Sequence, residues 1–140
     1  MAKLTLDWEA TFDFDLIGIS SHLPNYRLAF FLNKYLELDF HRSAKDIEIT
    51  LNKEKTLSSF AIYNYDNEED YLSMSCINNK SATGIFIPEL KQTDYLLLVW
   101  GSYQNKDVSE LNKKIATIPN VLMSKVIDPE SLKSKNNLLF

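Results

Sequence analysis

The order of apolar and polar residues near the start of the chain predicts a strand followed by a helix. Apolar residues alternate with aspartates and then become continuous over residues 12–20, which is typical of a β-strand. A serine pair before Pro24 indicates a helix start, and the helix is predicted to continue to about Glu37. Its apolar stripe consists of Leu28, Phe31, Leu32, Tyr35 and Leu36.

Further strands are predicted in the middle of the chain. Residues 47–51 alternate between apolar and polar, and residues 57–65 and 71–77 are β-rich with a polar turn between them, which predicts a hairpin. Residues 78–84 are predicted to form a loop. The six apolar residues 95–100 predict a strand that is buried on both faces and therefore central in its sheet.

The pattern in the last third predicts a second helix and a final strand. The helix begins at Asp107 or Ser109, and Val121–Ile127 is the strand. The helix places on one face Val108, Leu111, Ile115 and Ile118. Because short connections join most strands, the predicted fold class is α+β: a mainly antiparallel sheet of about five to seven strands with two main helices packed on one face.

Composition narrows the class of protein. The chain has 140 residues, 45% of them hydrophobic, which predicts a single globular domain over residues 1–140. The single Cys76 forms no internal disulfide, and no apolar run approaches the roughly 20 residues of a membrane span. A net charge of −4 with two arginines argues against nucleic acid as a partner. We therefore expect a cytoplasmic protein that binds neither membrane nor nucleic acid.

The sequence lacks the familiar catalytic motifs. Three glycines cannot form a phosphate-binding loop or a dinucleotide-binding cluster, and neither G-x-S-x-G nor H-E-x-x-H occurs. We assign no catalytic residue, cofactor or metal ligand from motifs. Asp13 and Asp15 form a D-x-D pair that is either a solvated strand face or a shared metal site.

Three other side chains carry potential chemistry. His22, at the predicted helix start, and His41, in the following junction, are potential general bases, although local capping or packing is the more common role. Cys76 alternates with apolar residues of a strand, which predicts a buried, unreactive thiol.

The segment from Ile87 to Tyr95 is the most individual part of the sequence. Pro88 and Glu89 predict a single helical turn, with the carboxylate facing free N–H groups, and Asp94 leads into the predicted central strand. Both acids either cap backbone groups or point into a site. We predict that Pro88, Glu89, Asp94 and Tyr95 act first as architecture, by ordering the turn that delivers this strand.

The end of the chain is apolar. Leu138, Leu139 and Phe140 are predicted to dock, either on the chain's own core or on a partner, since an untethered terminus normally frays.

The nine residues 87–95 resemble the motif that names the IPExxxVDY family of bacterial proteins, with Thr93 where the name has valine. Segments 17–20, 26–28 with 31–33, and 132–138 are similar to the family as well, so the resemblance covers essentially the whole chain. It implies a small cytosolic protein. It supplies no functional residues, because the family has no established activity.

Three classes of function follow, and the first is favoured. It is a non-catalytic binding or protein-interaction domain, with a homodimer as one form, because catalytic motifs are missing and 12% of residues are aromatic. The alternative is a small enzyme whose site gathers Glu89, Asp94 and a histidine. The third class, nucleic-acid binding, depends only on Lys113, Lys114 and the lysines of residues 125–135.

Overall fold

A six-stranded antiparallel sheet runs through the residues that the computed structural model describes, 12–50 and 57–140. The strands in chain order are β1 (Asp15–Ser21), β2 (His41–Arg42), β3 (Ile47–Thr50), β4 (Leu57–Phe60), β5 (Ile62–Asn67), β6 (Leu72–Asn78), β7 (Lys80–Ser81), β8 (Gly84–Ile85), β9 (Tyr95–Trp100) and β10 (Val121–Ile127). The main sheet has the order β10-β1-β9-β6-β5-β2, while β3–β4 and β7–β8 form two-stranded ribbons.

Two α-helices cover one face of the sheet. They are α1 (Asn25–Leu36) and α2 (Val108–Ala116). One short 3₁₀ turn, Tyr103–Asn105, precedes α2, and two more, Pro129–Ser131 and Lys135–Leu138, follow β10. Buried side chains of both helices share one apolar cluster with inward residues of the sheet. The predicted α+β class, with an antiparallel sheet and two helices on one face, is confirmed.

Strand β9 lies between β1 and β6, as its apolar composition predicts. Leu97 and Val99 face the helices, and Leu96 and Leu98 face the opposite side. Within residues 12–50 and 57–140, no α-helix packs on the second face. It is covered by the β3–β4 ribbon, by the segment around Phe86 and by the C-terminal residues.

Helix α1 differs from its prediction in one detail. Pro24 is its N-cap, and the buried residues are Leu28, Ala29, Leu32 and Leu36. Tyr35, predicted in the stripe, is exposed. The face of α1 that packs on the sheet is therefore centred on its leucines, and Tyr35 lies at the margin of that face. Helix α2 begins after Asp107, whose carboxylate accepts a hydrogen bond from the Glu110 N–H at 3.0 Å.

Three strand predictions need correction. Strand β1 begins at Asp15, so Asp13 precedes it. The predicted strand 57–65 is divided at Ala61, because β4 pairs with β3 while β5 forms the hairpin with β6. The predicted loop 78–84 contains β7 and the start of β8. Leu51, the predicted end of β3, lies outside the described residues.

Of the two alternatives predicted for the C-terminal residues, docking on the chain's own core is confirmed for Leu138, and docking of Leu139 and Phe140 on a partner stays a prediction. Leu138 is buried in the second cluster together with Leu132, whereas Leu139 and Phe140 are exposed. No helix of the described residues is long and apolar enough to span a bilayer.

We predict that Gly101→Ala destabilises the fold by about 2 kcal/mol, since its φ is +96° and left-handed backbone strains a side chain. A Cβ at Gly101 would also lie 2.1 Å from the Tyr71 carbonyl oxygen. Urea unfolding measures the effect, with Ser102→Ala at the next, exposed position as the control. Equal stability of the two variants would contradict the prediction.

Candidate functional site

A fully buried asparagine organises the segment between β8 and β9. The Asn79 side-chain amide donates to the Leu90 carbonyl at 2.9 Å and to the Thr93 carbonyl at 2.8 Å. Its carbonyl oxygen accepts from the Ile87 N–H at 2.8 Å. With 0% exposure, Asn79 has no access to water, so these three bonds replace hydration of the amide.

The backbone of Asn79 takes part as well. Its N–H donates to the Asp94 carbonyl at 2.9 Å, and its carbonyl accepts from the Phe86 N–H at 2.7 Å. The chain from Phe86 to Asp94 therefore folds around one residue. Sequence reasoning missed Asn79 because a polar residue in a predicted loop gives no sign of burial.

Residues 87–93 of the motif form two consecutive turns around Asn79. The Leu90 N–H donates to the Ile87 carbonyl, and the Thr93 N–H donates to the Leu90 carbonyl. Pro88 occupies the second position of the first turn, where its fixed φ is favourable. The predicted helical turn at Pro88–Glu89 is wrong, since this segment forms turns instead.

Asp94 connects the motif to the turn between β1 and α1. Its Oδ2 accepts from the Ser21 N–H at 2.9 Å, and its Oδ1 lies 3.1 Å from the Lys80 Nζ. The carboxylate thus caps a backbone group and pairs with a half-exposed lysine. Its two oxygens are both occupied.

Tyr95, on the helical face of the sheet, binds the same β1–α1 turn. Its hydroxyl donates to the Leu23 carbonyl, just before α1 begins. Burial raises the pKa of Tyr95 to about 12, with smaller contributions from Cys76, Asp94 and Tyr63. The phenol is therefore a neutral hydrogen-bond donor at physiological pH and is unsuited to act as a base.

Glu89 holds the C-terminal segment against the motif. Its two carboxylate oxygens accept from the Ser134 N–H at 2.7 Å and from the Ser134 hydroxyl at 2.9 Å. Partial burial alone would raise the pKa of Glu89, but hydrogen bonds from Ser134 and nearby backbone outweigh it and lower the pKa. Glu89 therefore caps the start of the last 3₁₀ turn.

The predicted site residues do not form a carboxylate–histidine centre. Glu89 binds the C-terminal segment and Asp94 binds the β1–α1 turn. A cavity beside Glu89 is lined by Lys91 and Lys125 among others, but not by Asp94 or a histidine. His41 is exposed, with its Nε2 3.0 Å from the Asp39 Oδ2.

The remaining sequence candidates are also separate. His22 is exposed, and so are Asp13 and Asp15, of which only Asp15 belongs to a strand. Cys76 is buried in the helical-face cluster, and burial raises its pKa to about 12, so the thiolate is strongly disfavoured. Among the described residues, no group of three or more His, Cys, Asp or Glu side chains is placed to hold a metal ion.

A polar cavity of about 370 Å³ lies at the opposite end of the helical face. Four residues that line it have left-handed backbone, namely Glu37, Tyr71, Gln104 and Asn105. Its lining includes carboxylates, tyrosines and amides but no lysine, arginine or histidine. None of the four predicted site residues borders it.

The two edges of the sheet are very different. Strand β2, at one edge, has two residues, His41 and Arg42. Strand β10, at the other, has seven, and it exposes Leu122, Met123 and Val126 by 63%, 55% and 43%. Lys125 and a one-residue irregularity at Leu122 are the features of β10 that discourage strand pairing.

No protein-family model matches the chain, and no curated protein is significantly similar to it. The resemblance to the IPExxxVDY family stays a prediction that depends on the motif residues. Functional assignment consequently depends on geometry alone.

We predict that Asn79→Ala lowers the free energy of unfolding by about 3 kcal/mol, because the buried Ile87 N–H and Thr93 carbonyl lose their side-chain partner and the Leu90 carbonyl keeps only the Thr93 N–H. Urea unfolding measures the loss. Asn78→Ala is the matched control, since the Asn78 side chain forms no hydrogen bond with a described residue. A similar loss in both variants would show that Asn79 has no special role.

We predict that Glu89→Gln lowers the melting temperature at pH 7 by about 3 °C, as expected for loss of a charged cap. Because folding lowers the pKa of Glu89 from its ordinary 4.5, the carboxylate's stabilisation is complete above that pH and is lost as pH falls through the folded-state value. The difference from the wild type should therefore shrink in acid. Glu130→Gln is the control, and a pH-independent difference would rule out the charged cap.

Proposed function

We propose that this chain is a non-catalytic protein-interaction domain that binds a β-strand of its partner along the outer edge of β10. The open edge of β10 is the observation that carries the proposal. A seven-residue edge strand presents a row of backbone N–H and C=O groups that a second strand can pair with. The exposed Leu122, Met123 and Val126 supply apolar contact beside those groups.

The contrast with β2 supports this proposal. An edge of two residues with charged or ionisable side chains offers little to an incoming strand. The same sheet therefore has one edge protected by shortness and charge and one edge that is long and apolar. Natural proteins usually protect their edges. On β10 this protection is limited to Lys125 and the irregularity at Leu122, while three exposed apolar side chains remain along the strand, which favours a binding role.

The motif contacts argue against the enzyme alternative. Glu89 and Asp94 each accept a hydrogen bond from a backbone N–H, so both carboxylates are already engaged by this chain. The hydrogen bonds to Glu89 also lower its pKa, which makes it a poorer general base. The Tyr95 hydroxyl donates a hydrogen bond to the Leu23 backbone carbonyl. These side chains are occupied with holding the fold together.

The contacts of the lysines argue against nucleic-acid binding. Lys113 lies 3.7 Å from the Glu110 carboxylate, and Lys114 lies over the Tyr103 ring. Lys135 lies over the Phe12 ring. Three lysines of the proposed basic surface are therefore engaged with the chain's own side chains, and the net charge of −4 repels a polyanion.

The test uses a synthetic octapeptide of alternating threonine and valine, added to dilute ¹⁵N-labelled protein. We expect amide exchange of residues 121–127 to slow, because the peptide pairs with the edge, and that of β2 to stay unchanged. The same peptide N-methylated on alternate residues is the control, since it cannot donate along one side. Protection without any change at β10, or equal effects of both peptides, would overturn strand addition as the binding mode.

A further inference from the structure

We infer that the polar cavity beside the C-terminus of α1 binds a linear polyamine, which is a short alkyl chain with an ammonium group at each end. No residue of β10 lines this cavity, so the inference goes beyond the proposed function and does not rest on it. It depends on the enclosure of the cavity, on the charge of its lining, on the separation of its carboxylates and on its tyrosines.

The cavity lies between three segments of the fold. They are the end of α1 at residues 36–38, the end of the β5–β6 turn at residues 69–72, and residues 102–105 after β9. The Tyr103 hydroxyl donates to the Leu36 carbonyl at 2.8 Å, which ties the third segment to the first. The volume of about 370 Å³ lies within the range of about 300–1,000 Å³ that is typical of small-molecule sites.

The lining of this cavity is acidic. It contains three carboxylates, those of Glu37, Glu69 and Asp70, and no lysine, arginine or histidine of the described chain. The Glu37 and Glu69 carboxylates form no ion pair or hydrogen bond with another described residue. Asp70 accepts a hydrogen bond from the Asn67 amide at 3.0 Å. The C-terminus of α1 adds the negative end of a helix dipole, and a cleft with charge of one sign concentrates ions of the opposite sign.

The three carboxylates do not converge on one point. Glu37 is the C-cap of α1, whereas Glu69 and Asp70 belong to the turn between β5 and β6. Among the described residues, no group of three acidic, histidine or cysteine side chains is placed to hold a metal ion. A single compact cation therefore does not neutralise both segments, but a chain with ammonium groups at separate points does. Such amines are protonated at pH 7, since an alkylammonium like that of lysine has a pKa of about 10.4.

Apolar and aromatic groups supply the remaining contacts. Leu36 and Leu72 are buried in the helical-face cluster and form part of the lining, which suits the methylene groups between two ammonium groups. Tyr71 is 87% exposed beside the cavity, so an ammonium group can approach its ring. Tyr103 already makes such a contact with Lys114, whose Nζ lies 5.5 Å from the ring centroid and outside the lining.

Left-handed backbone is concentrated around the cavity. Five non-glycine residues of the described chain have a positive φ, and four of them line it. Three of these four, Glu37, Tyr71 and Gln104, are of types that seldom adopt this conformation. Strained backbone of this kind clusters at ligand sites, which supports a binding role for this part of the fold.

The first test is calorimetric titration of the full chain with spermidine at about 0.15 M salt, where charges more than about 8 Å apart are largely screened. We expect saturable binding. Glu69→Gln should weaken it about three- to fivefold, as for loss of one exposed ion pair. Glu130→Gln removes the same charge from the 3₁₀ turn after β10 and should leave the affinity nearly unchanged. No saturable binding, or equal weakening in both variants, would overturn the site.

The second test compares three six-carbon molecules, diaminohexane, hexylamine and hexanediol, which carry two, one and no ammonium groups. We expect the affinity to fall in that order, because only the diamine can pair with carboxylates of both segments. Equal affinity of the diamine and the monoamine would overturn the two-ended ligand in favour of a single ammonium group, such as that of a lysine side chain of another protein. Equal affinity of all three would overturn any role of charge.

The third test concerns the ring of Tyr71. Tyr71→Ala should weaken spermidine binding about two- to fivefold, whereas Tyr71→Phe keeps the ring and should bind nearly as the wild type does. Tyr26→Ala removes another exposed tyrosine, on α1, and is the control. Equal affinities of the Tyr71→Ala and Tyr26→Ala proteins would overturn the ring contact.

NMR spectra of the ¹⁵N-labelled chain locate the bound spermidine and separate this inference from the proposed function. Spermidine should shift the amide signals of residues 69–72 and 102–105 and leave those of residues 121–127 unchanged. Shifts that spare the first two segments would overturn the site. The threonine–valine peptide tests β10 alone, so either proposal can fail while the other stands.

Discussion

The rest of this structure depends on the burial of one amide. Asn79 is fully buried, and an unpaired buried amide would cost several kcal/mol, so the fold requires that partners be supplied to its side chain. Its three side-chain hydrogen bonds fold the chain from Phe86 to Asp94 into two turns around it. The two turns place Glu89 where it binds Ser134 of the C-terminal segment, and they place Asp94 where it binds Ser21 of the β1–α1 turn. A defect at Asn79 would therefore loosen contacts at three places that are distant in sequence.

The arrangement follows from what covers the second face of the sheet. An α-helix satisfies its own backbone groups internally, whereas turns and an irregular terminus leave theirs unpaired. Beside the β3–β4 ribbon, this face is covered by turns and by the C-terminal residues, so side chains must supply the partners that those segments lack. Glu89 binds the Ser134 N–H, and the Asn137 side-chain amide donates to the Phe86 carbonyl. In the sequence these polar residues resemble a functional site. In the structure their side chains pair with backbone groups that a helix would have paired internally.

The sequence predicted best where the burial of a whole segment is visible in its apolar pattern. Both helices were predicted close to their observed bounds, because burial of one face imposes a repeat on the sequence. Strand β9 was predicted from its continuous apolar run, since both of its faces are buried. Strand β10 was predicted from its position after Pro119 and Asn120. The division at Ala61 could not be predicted, since β4 and β5 are both β-rich and only long-range pairing separates them. The burial of Asn79 and the partners of Glu89 and Asp94 could not be predicted either, because they too depend on long-range contacts. Ser134 is distant in the chain from Glu89, and Ser21 is distant from Asp94, so no local sequence pattern indicates which carboxylate binds which serine.

The internal use of the motif also supports the proposal that the sheet edge is the binding surface. Glu89, Asp94 and Tyr95 direct their polar atoms at backbone groups of this chain, which leaves them little to offer a ligand. Strand β10 is in the opposite situation, because β1 pairs with only one of its sides and α2 packs on only one of its faces. Its outer N–H and C=O groups can be satisfied by water, but the apolar side chains beside them cannot. A partner strand satisfies both at once, and this is the physical reason to seek the function of the protein at β10 and not at the motif.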